Sequence, residues 1–229
     1  MSVEIRRGTI HDIDAIAEII KLAFDDIVDK ERVKQLLTLS HNYVCVAVQS
    51  GVVVGFVENF MTVSQDNHIR LELDLLAVHP MARGQGIGKR LIQTSIDKAK
   101  QLGVDCLRAL IASENRIMQH ACKRQDLIQS QDEYGLYVIS PQDISEHITE
   151  TLQAHLILIE TLTYTGIWLE GDITASAVDN ANVIVKQNQY DIIGAVVNKT
   201  HAQTIELLAD NQFVHVNDYH HWTLNLKSD

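Results

Sequence analysis

The stretch VHPMARGQGIGKRL, residues 78–91, places Gly84, Gly86 and Gly88 at every second position, with Arg83 in front and Lys89 and Arg90 behind. An apolar, strand-like run precedes it and an amphipathic run follows. A glycine turn between a strand and a helix suits an anion, because the first N–H groups of a helix lack intrahelical partners and missing Cβ atoms let phosphate approach them. Counting removes two familiar loops. A Walker A loop needs glycine where Arg83 stands and Ser or Thr where Arg90 stands. The dinucleotide pattern G-x-G-x-x-G needs a third glycine at Lys89 or Leu91.

Other side chains could move protons. Glu72 and Asp74 lie on the strand before the loop and share one face by alternation, as solvent-facing strand carboxylates do. Cys122 sits on a helix, and with Cys45 and Cys106 forms an odd set without C-x-x-C spacing, which predicts free thiols. His215, His220 and His221 near the C-terminus do not converge, because neighbours on a strand face opposite sides, so no metal is expected.

The elements that must position these groups follow from periodicity. VEIRRG alternates as a strand, Thr9 and Asp12 mark a helix start, and Ile13, Ile16, Ile19, Ile20 and Phe24 recur at helical spacing. A second helix is predicted over about 30–39. A hairpin is expected to turn at Ser50-Gly51, and HIRLELDLLAV forms the strand into the glycine loop. Beyond it come a helix ending at Gly103, a strand at 105–111, a helix over about 115–125 and a strand ending at Ser140. The order β-α-α-β-β-β-α-β-α-β predicts an α+β domain over residues 1–140. Pro141 is expected to open a helix leading into the tail.

Of the 229 residues, 46% are hydrophobic and 21% charged, ordinary for one domain plus an extension. No apolar run reaches about 18 residues, and the N-terminus has no signal-like core. A cytoplasmic protein without membrane partners is expected. Residues 1–140 carry net charge −2 and residues 141–229 carry −9, an acidic balance that argues against nucleic acid.

The pattern R-x-x-G-x-G at Arg83–Gly88, between LLAVHP and GKRLI, resembles the pyrophosphate loop of the GNAT superfamily of N-acetyltransferases, Q/R-x-x-G-x-G/A. The resemblance covers about residues 3–135. It implies an α/β/α sandwich with a mixed, mostly antiparallel sheet, and acetyl-CoA as cosubstrate. It also implies direct acetyl transfer to a primary amine of a small molecule or peptide. Leu76, Ala77 and Val78 would then pair with the pantetheine arm. Arg83, Gly84, Gln85, Gly86, Ile87, Gly88 and Lys89 would hold the pyrophosphate. Glu72 would be the base, and Asn115 would match the Asn of the family's later motif. The family's thiolate-protonating Tyr is replaced by Cys122, which leaves Cys122 as the candidate donor or the chain as a weak CoA-binding module.

A shift of 86 residues places 106–127 over 192–213, both reading strand, turn, helix. Residues 141–229 are therefore expected to be a degenerate half-copy of the same fold. The same shift lays the glycine loop over Thr165–Thr174, with Asp172 and Thr174 in place of Gly86 and Gly88, so the tail is expected to bind no CoA. Its expected uses are extending the sheet, shaping the acceptor cleft or dimerising.

Overall fold

The computed structural model describes residues 2–39, 42–140 and 155–227. The helix expected from Pro141 lies outside these residues. The first part runs β1 (Val3–Arg7), α1 (Ile13–Phe24), α2 (Lys30–Thr38), β2 (Cys45–Gln49), β3 (Val52–Val63), β4 (Ile69–Val78), α3 (Ile87–Leu102), β5 (Cys106–Ala112), α4 (Arg116–Lys123), β6 (Ile128–Gln129) and β7 (Tyr134–Ile139). This is the expected order with the two-residue β6 added. The tail supplies β8 (His155–Glu160), β9 (Thr165–Glu170), α5 (Ala175–Asn188), β10 (Ile192–Asn198), α6 (Ala202–Asp210) and β11 (Val214–Asn225).

Local chemistry accounts for the ends. Thr9 and Asp12 form the capping box before α1, and Arg6 grips Asp12 with bonds of 2.7 and 2.8 Å. Ser50 and Gly51 take φ of 52° and 81°, the left-handed pair that suits a two-residue hairpin turn. On α3 the buried stripe Ile87, Leu91, Ile92, Ile96 and Ala99 packs on Leu71, Leu73, Leu107 and Ala109 of the sheet. On the other sheet face, α1 and α2 bury Ile16, Ile19, Ile20, Val33 and Leu36 over Val46, Phe56 and Ala77.

The strand order is β1-β2-β3-β4-β5-β11-β7-β10-β9-β8, with β6 beside β11. The tail therefore interleaves with the segment ending at residue 140: β11 lies between β5 and β7, antiparallel to both, and β7 in turn pairs with β10. The β8–β9 hairpin folds back over β3 and β4. Ile157, Ile159 and Trp168 pack on Phe60, and the His155 ring meets the Val63 carbonyl.

The tail also completes the first core. Trp222 of β11 is buried beside α3, α4 and β5, and Leu162, in the β8–β9 turn, is fully buried among the α1 and α2 side chains. Leu162→Ala is expected to cost about 2–5 kcal/mol, read as a lower midpoint in urea. A loss below 1 kcal/mol would mean the turn does not hold this core together.

One alignment needs correction. The 86-residue shift fits β5 with β10, and α4 with α6, but Thr165–Glu170 is strand, not loop. Parallel pairing joins Arg70 to Cys106, 36 residues on, and Gly166 to Ile192, 26 residues on. The two spacings differ by ten residues, and only Gly171–Thr174 connects β9 to α5.

Candidate active site

The glycine loop leaves β4 and ends in Gly86, the N-cap of α3. Gly84 and Gly86 take φ of 78° and 74°, where a Cβ would be strained although nothing lies within 4 Å of its place. Gly88 differs: its φ is ordinary and a Cβ would make ordinary contact with Leu76 and Val78. The helical ladder opens with Arg90 N–H to the Gly86 carbonyl at 3.2 Å, so the N–H groups of Ile87, Gly88 and Lys89 precede the first rung. Arg83, Gln85 and Lys89 are exposed around them. Arg83 Nε donates to the Val78 carbonyl at 3.1 Å and Gln49 donates to the Gln85 side chain at 2.9 Å, which steadies the loop against β4 and β2.

The second feature is a gap in the sheet. β4 and β5 pair from Arg70↔Cys106 to Leu73↔Ala109 and no further, although both strands continue. At the same point β4 places Asp74 and Leu75 opposite the single residue Glu58 of β3, a bulge that bends the strand. Leu71 and Leu73 pack toward α3 before it, and Leu76 and Val78 after it. Leu76, Ala77 and Val78 pair with Val57, Phe56 and Gly55 along one edge. Their other edge faces the notch, so an extended chain with amide groups can bond there. Loop and notch lie at the same end of β4.

At the notch, two carboxyl groups face each other across β3 and β4. Glu58 is fully buried. Leu162 N–H donates to both its oxygens at 3.0 and 3.1 Å, and Asn42 Nδ2 donates at 3.0 Å. Burial, then the nearby Asp74 charge, pushes the Glu58 carboxyl up to about 8. Asp74 is half-buried, and burial, then the Glu72 charge, pushes it up to about 7. Such a pair loses its protons jointly and not residue by residue. Sequence reading missed Glu58, although a lone carboxylate inside the apolar run VVVGFVENFMTV was a signal.

Glu72, expected as the base, stands elsewhere. Its carboxylate takes Arg108 Nε at 2.9 and 3.1 Å, Thr62 Oγ1 at 2.6 Å and Arg70 Nε at 3.3 Å. Glu170 of β9 completes the ring, receiving Arg108 at 2.6 Å and Arg70 at 2.9 Å. Burial pushes the Glu170 carboxyl up, but Arg108 and Arg70 outweigh it and hold it below the usual carboxylate range. A carboxylate shared by two guanidiniums has its lone pairs occupied, which corrects the expectation for Glu72.

Cys122 is corrected too. It has no exposed surface and packs with Leu127, Trp222 and the α3 side chains, and burial pushes its thiol up to about 12. Asn115 is exposed at the N-cap of α4, its side-chain oxygen accepting Met118 N–H at 3.1 Å.

The histidines lie apart. His220 Nδ1 meets the Asp132 carbonyl at 3.0 Å and His215 Nε2 meets Asp218 at 2.9 Å. The His221 ring lies 4.6 Å from that of Tyr134. Among the described residues, no three His, Cys, Asp or Glu side chains are grouped to hold a metal, and no helix is long and apolar enough to cross a membrane.

Residues 13–126 match the model of the acetyltransferase (GNAT) family. No curated protein matches the chain. Among solved structures, it resembles the glucosamine N-acetyltransferase region of a fungal multi-domain β-N-acetylglucosaminidase, with TM-score 0.66 and 13% identity over 97% of this chain. This chain spans only 38% of that protein's length. A putative acetyltransferase from Pyrococcus horikoshii gives TM-score 0.64 and 15% identity, covering 98% of this chain and 90% of that one. A ribosomal-protein-alanine N-acetyltransferase from Brucella melitensis gives 0.52 and 25% identity, covering 58% of this chain and 88% of its own. The segment 13–126, which carries the glycine loop and the split β4–β5 pair, is a GNAT acetyltransferase domain, of the family that uses acetyl-CoA as cosubstrate.

Proposed function

We propose that this protein is an N-acetyltransferase that transfers acetyl from acetyl-CoA directly to a primary amine of a small molecule or peptide, in a ternary complex. The observation that carries the reading is the notch: paired backbone edges stop at Leu73↔Ala109 beside a loop of free N–H groups. Bound there, acetyl-CoA supplies an activated acyl group on a thiol leaving group. The N–H groups of Ile87, Gly88 and Lys89 hold the pyrophosphate, with Arg83 and Lys89 adding charge. The open edge of Leu76, Ala77 and Val78 holds the arm, and Asn115, at the N-cap of α4, is the remaining candidate for a cofactor contact.

An amine attacks only when deprotonated, and a base works best with a pKa near the working pH. Asp74, at about 7, suits this role at the apex of the notch. Glu58 behind it holds the second proton and is itself fixed by Leu162 N–H. Asp74 is therefore proposed as the base in place of Glu72.

The tail is read as a degenerate half-copy that carries no CoA loop. This rests on the equal spacing of β5–α4 and β10–α6 and on the parallel pairs β4·β5 and β9·β10. A cytoplasmic location is in keeping with three free cysteines, and a homodimer is one further use of the tail.

Acetyl-CoA at 100 times its dissociation constant should add about 2.7 kcal/mol, a rise of roughly 5–10 °C in Tm. Gly86→Val, which strains the αL cap, should lose most of that rise. No rise at millimolar acetyl-CoA would overturn the reading. Thiol release with a panel of amines then separates the enzyme from a CoA-binding module: stabilisation without turnover of any amine favours the module.

A further inference from the structure

The bulge in β4 sorts its side chains between the two faces of the sheet. Leu73 and Leu76 both pack toward α3, so Asp74 and Leu75, between them, project from the opposite face, where Leu75 joins the α1 and α2 side chains. The glycine loop opens α3. A cosubstrate arm therefore reaches the notch along the open β4 edge, and an amine has to meet its thioester from the face that carries Asp74.

That face is roofed by the tail. On the β4 side Glu170 pairs with Arg70 at 2.9 Å and with Arg108 at 2.6 Å, and the Trp168 ring stands edge-on to Phe60 with centroids 5.8 Å apart. On the helix side Arg32 of α2 donates to the Thr163 carbonyl at 2.8 Å and pairs with Asp191 at 2.8 Å. Asn42 donates to the Glu160 carbonyl at 3.2 Å. The β8–β9 turn, residues 161–164, is thus pinned from both sides over Glu58, which accepts the Leu162 N–H. Tyr164 ends the turn and packs on β3 with Phe60, Ile157 and Trp168. Phe60 lies two residues beyond Glu58, opposite Glu72, so the phenol sits over the row that holds Asp74. Burial, then the Asp74 charge, raises the Tyr164 phenol, in keeping with that position.

Burial is graded along this row. Glu58 and Glu72 are 0% and 4% exposed, whereas Asp74 and Tyr164 both keep accessible surface. The opening beside the turn reaches Asp74, has Tyr164 on its wall, and goes no further along β3 and β4. An extended peptide needs about 3.3 Å of track per residue and partners for its amide groups. Here β3 and β4 pair with each other, the open β4 edge belongs to the arm, and the face below Asp74 lies under the hairpin. We infer that the β8–β9 turn, with Tyr164 setting its reach, is the acceptor-selecting wall of the site, admitting a small primary amine and shutting out the N-terminus of a peptide chain. The inference rests on the acetyltransferase reading above and narrows its acceptor. The tail on this account decides what the first part of the chain acetylates.

Thiol release by the full chain tests the wall, with alkylamines, aliphatic diamines and amino sugars in one set and tripeptides in the other. The native protein should use the best small amine with a kcat/KM roughly 10-fold or more above that of the best tripeptide, the scale on which pocket shape discriminates. Tyr164→Ala, which opens the wall, should shrink that ratio by roughly 10-fold, while titration calorimetry finds the acetyl-CoA affinity unchanged. Tyr164→Phe keeps the ring and should restore the native ratio. Tyr164→Leu retains apolar packing on Phe60 and makes the same comparison where the alanine variant does not fold. A tripeptide used by the native protein as well as the best small amine overturns the inference, and so does a ratio that stays native in the shortened variants, as a merely structural role would leave it. No release with any amine overturns the acetyltransferase reading itself.

Discussion

Replacing Glu170 with Gln is expected to lower the stability of the whole chain by about 3–5 kcal/mol at pH 7, because it leaves Arg70 and Arg108 facing the single charge of Glu72 in a buried site. The side chains of Arg70, Glu72, Arg108 and Glu170 are 9%, 6%, 12% and 17% exposed, so water cannot replace the missing carboxylate well. The fall in Tm should be on the order of 10 °C. Screening acts mainly on exposed charges, so the loss should persist in high salt. Lys30→Ala, which breaks an open pair with Asp14 at 62% and 87% exposure, should change little at any salt. Equilibrium urea unfolding of both variants decides the matter, and a loss below 1 kcal/mol for E170Q would mean the ring adds little. Glu170 belongs to β9 and its partners to β4 and β5, so one measurement also reports whether the two parts of the chain unfold together.

What the sequence made legible were features written by local requirements. A left-handed backbone at Gly84 and Gly86 demands glycine, so the loop could be read and two rival loops discarded by counting. Strand and helix periods located most elements, because each buries one face. Alternation correctly put Glu72 and Asp74 on one side of β4, but it assigns a face and not a partner. The guanidinium that occupies Glu72 comes from Arg108, 36 residues on, and the ring is closed by Glu170. Leu162 reaches Glu58 across 104 residues. The helical pattern around Cys122 could not tell the core side of α4 from the notch. The ten-residue difference between the β4·β5 and β9·β10 spacings stayed hidden because shift 86 fits β10 and α6. β11 was the largest loss: nothing local in VHVNDYHHWTLN says that it leaves its own half to pair with β5.

Asp74→Asn is expected to reduce turnover by about 10²- to 10⁴-fold, the usual contribution of a positioned base, with little change in acetyl-CoA affinity because the loop and the strand edge are untouched. In the native protein the base must be ionised, so kcat/KM should climb as pH rises through about 7–8, the interval in which the Asp74–Glu58 pair loses its protons, and the variant should lack that limb. The same pair shapes stability in the opposite sense. Native Glu58 and Asp74 hold protons up to about 8 and 7, whereas the unfolded chain releases them near 4. Their contribution is therefore fully present below about pH 4 and is lost as pH rises through 7–8. Glu58→Gln, which can still accept from Leu162 and Asn42 on its amide oxygen, should flatten that decline while Glu72→Gln should not. Tm measured from pH 5 to 9, beside the pH–rate profile, links the two. A base at Asp74 requires the activity to appear over the same interval in which stability falls. If the Asp74→Asn enzyme keeps a native pH–rate profile, Asp74 is not the base, whatever its buried carboxyl contributes to folding.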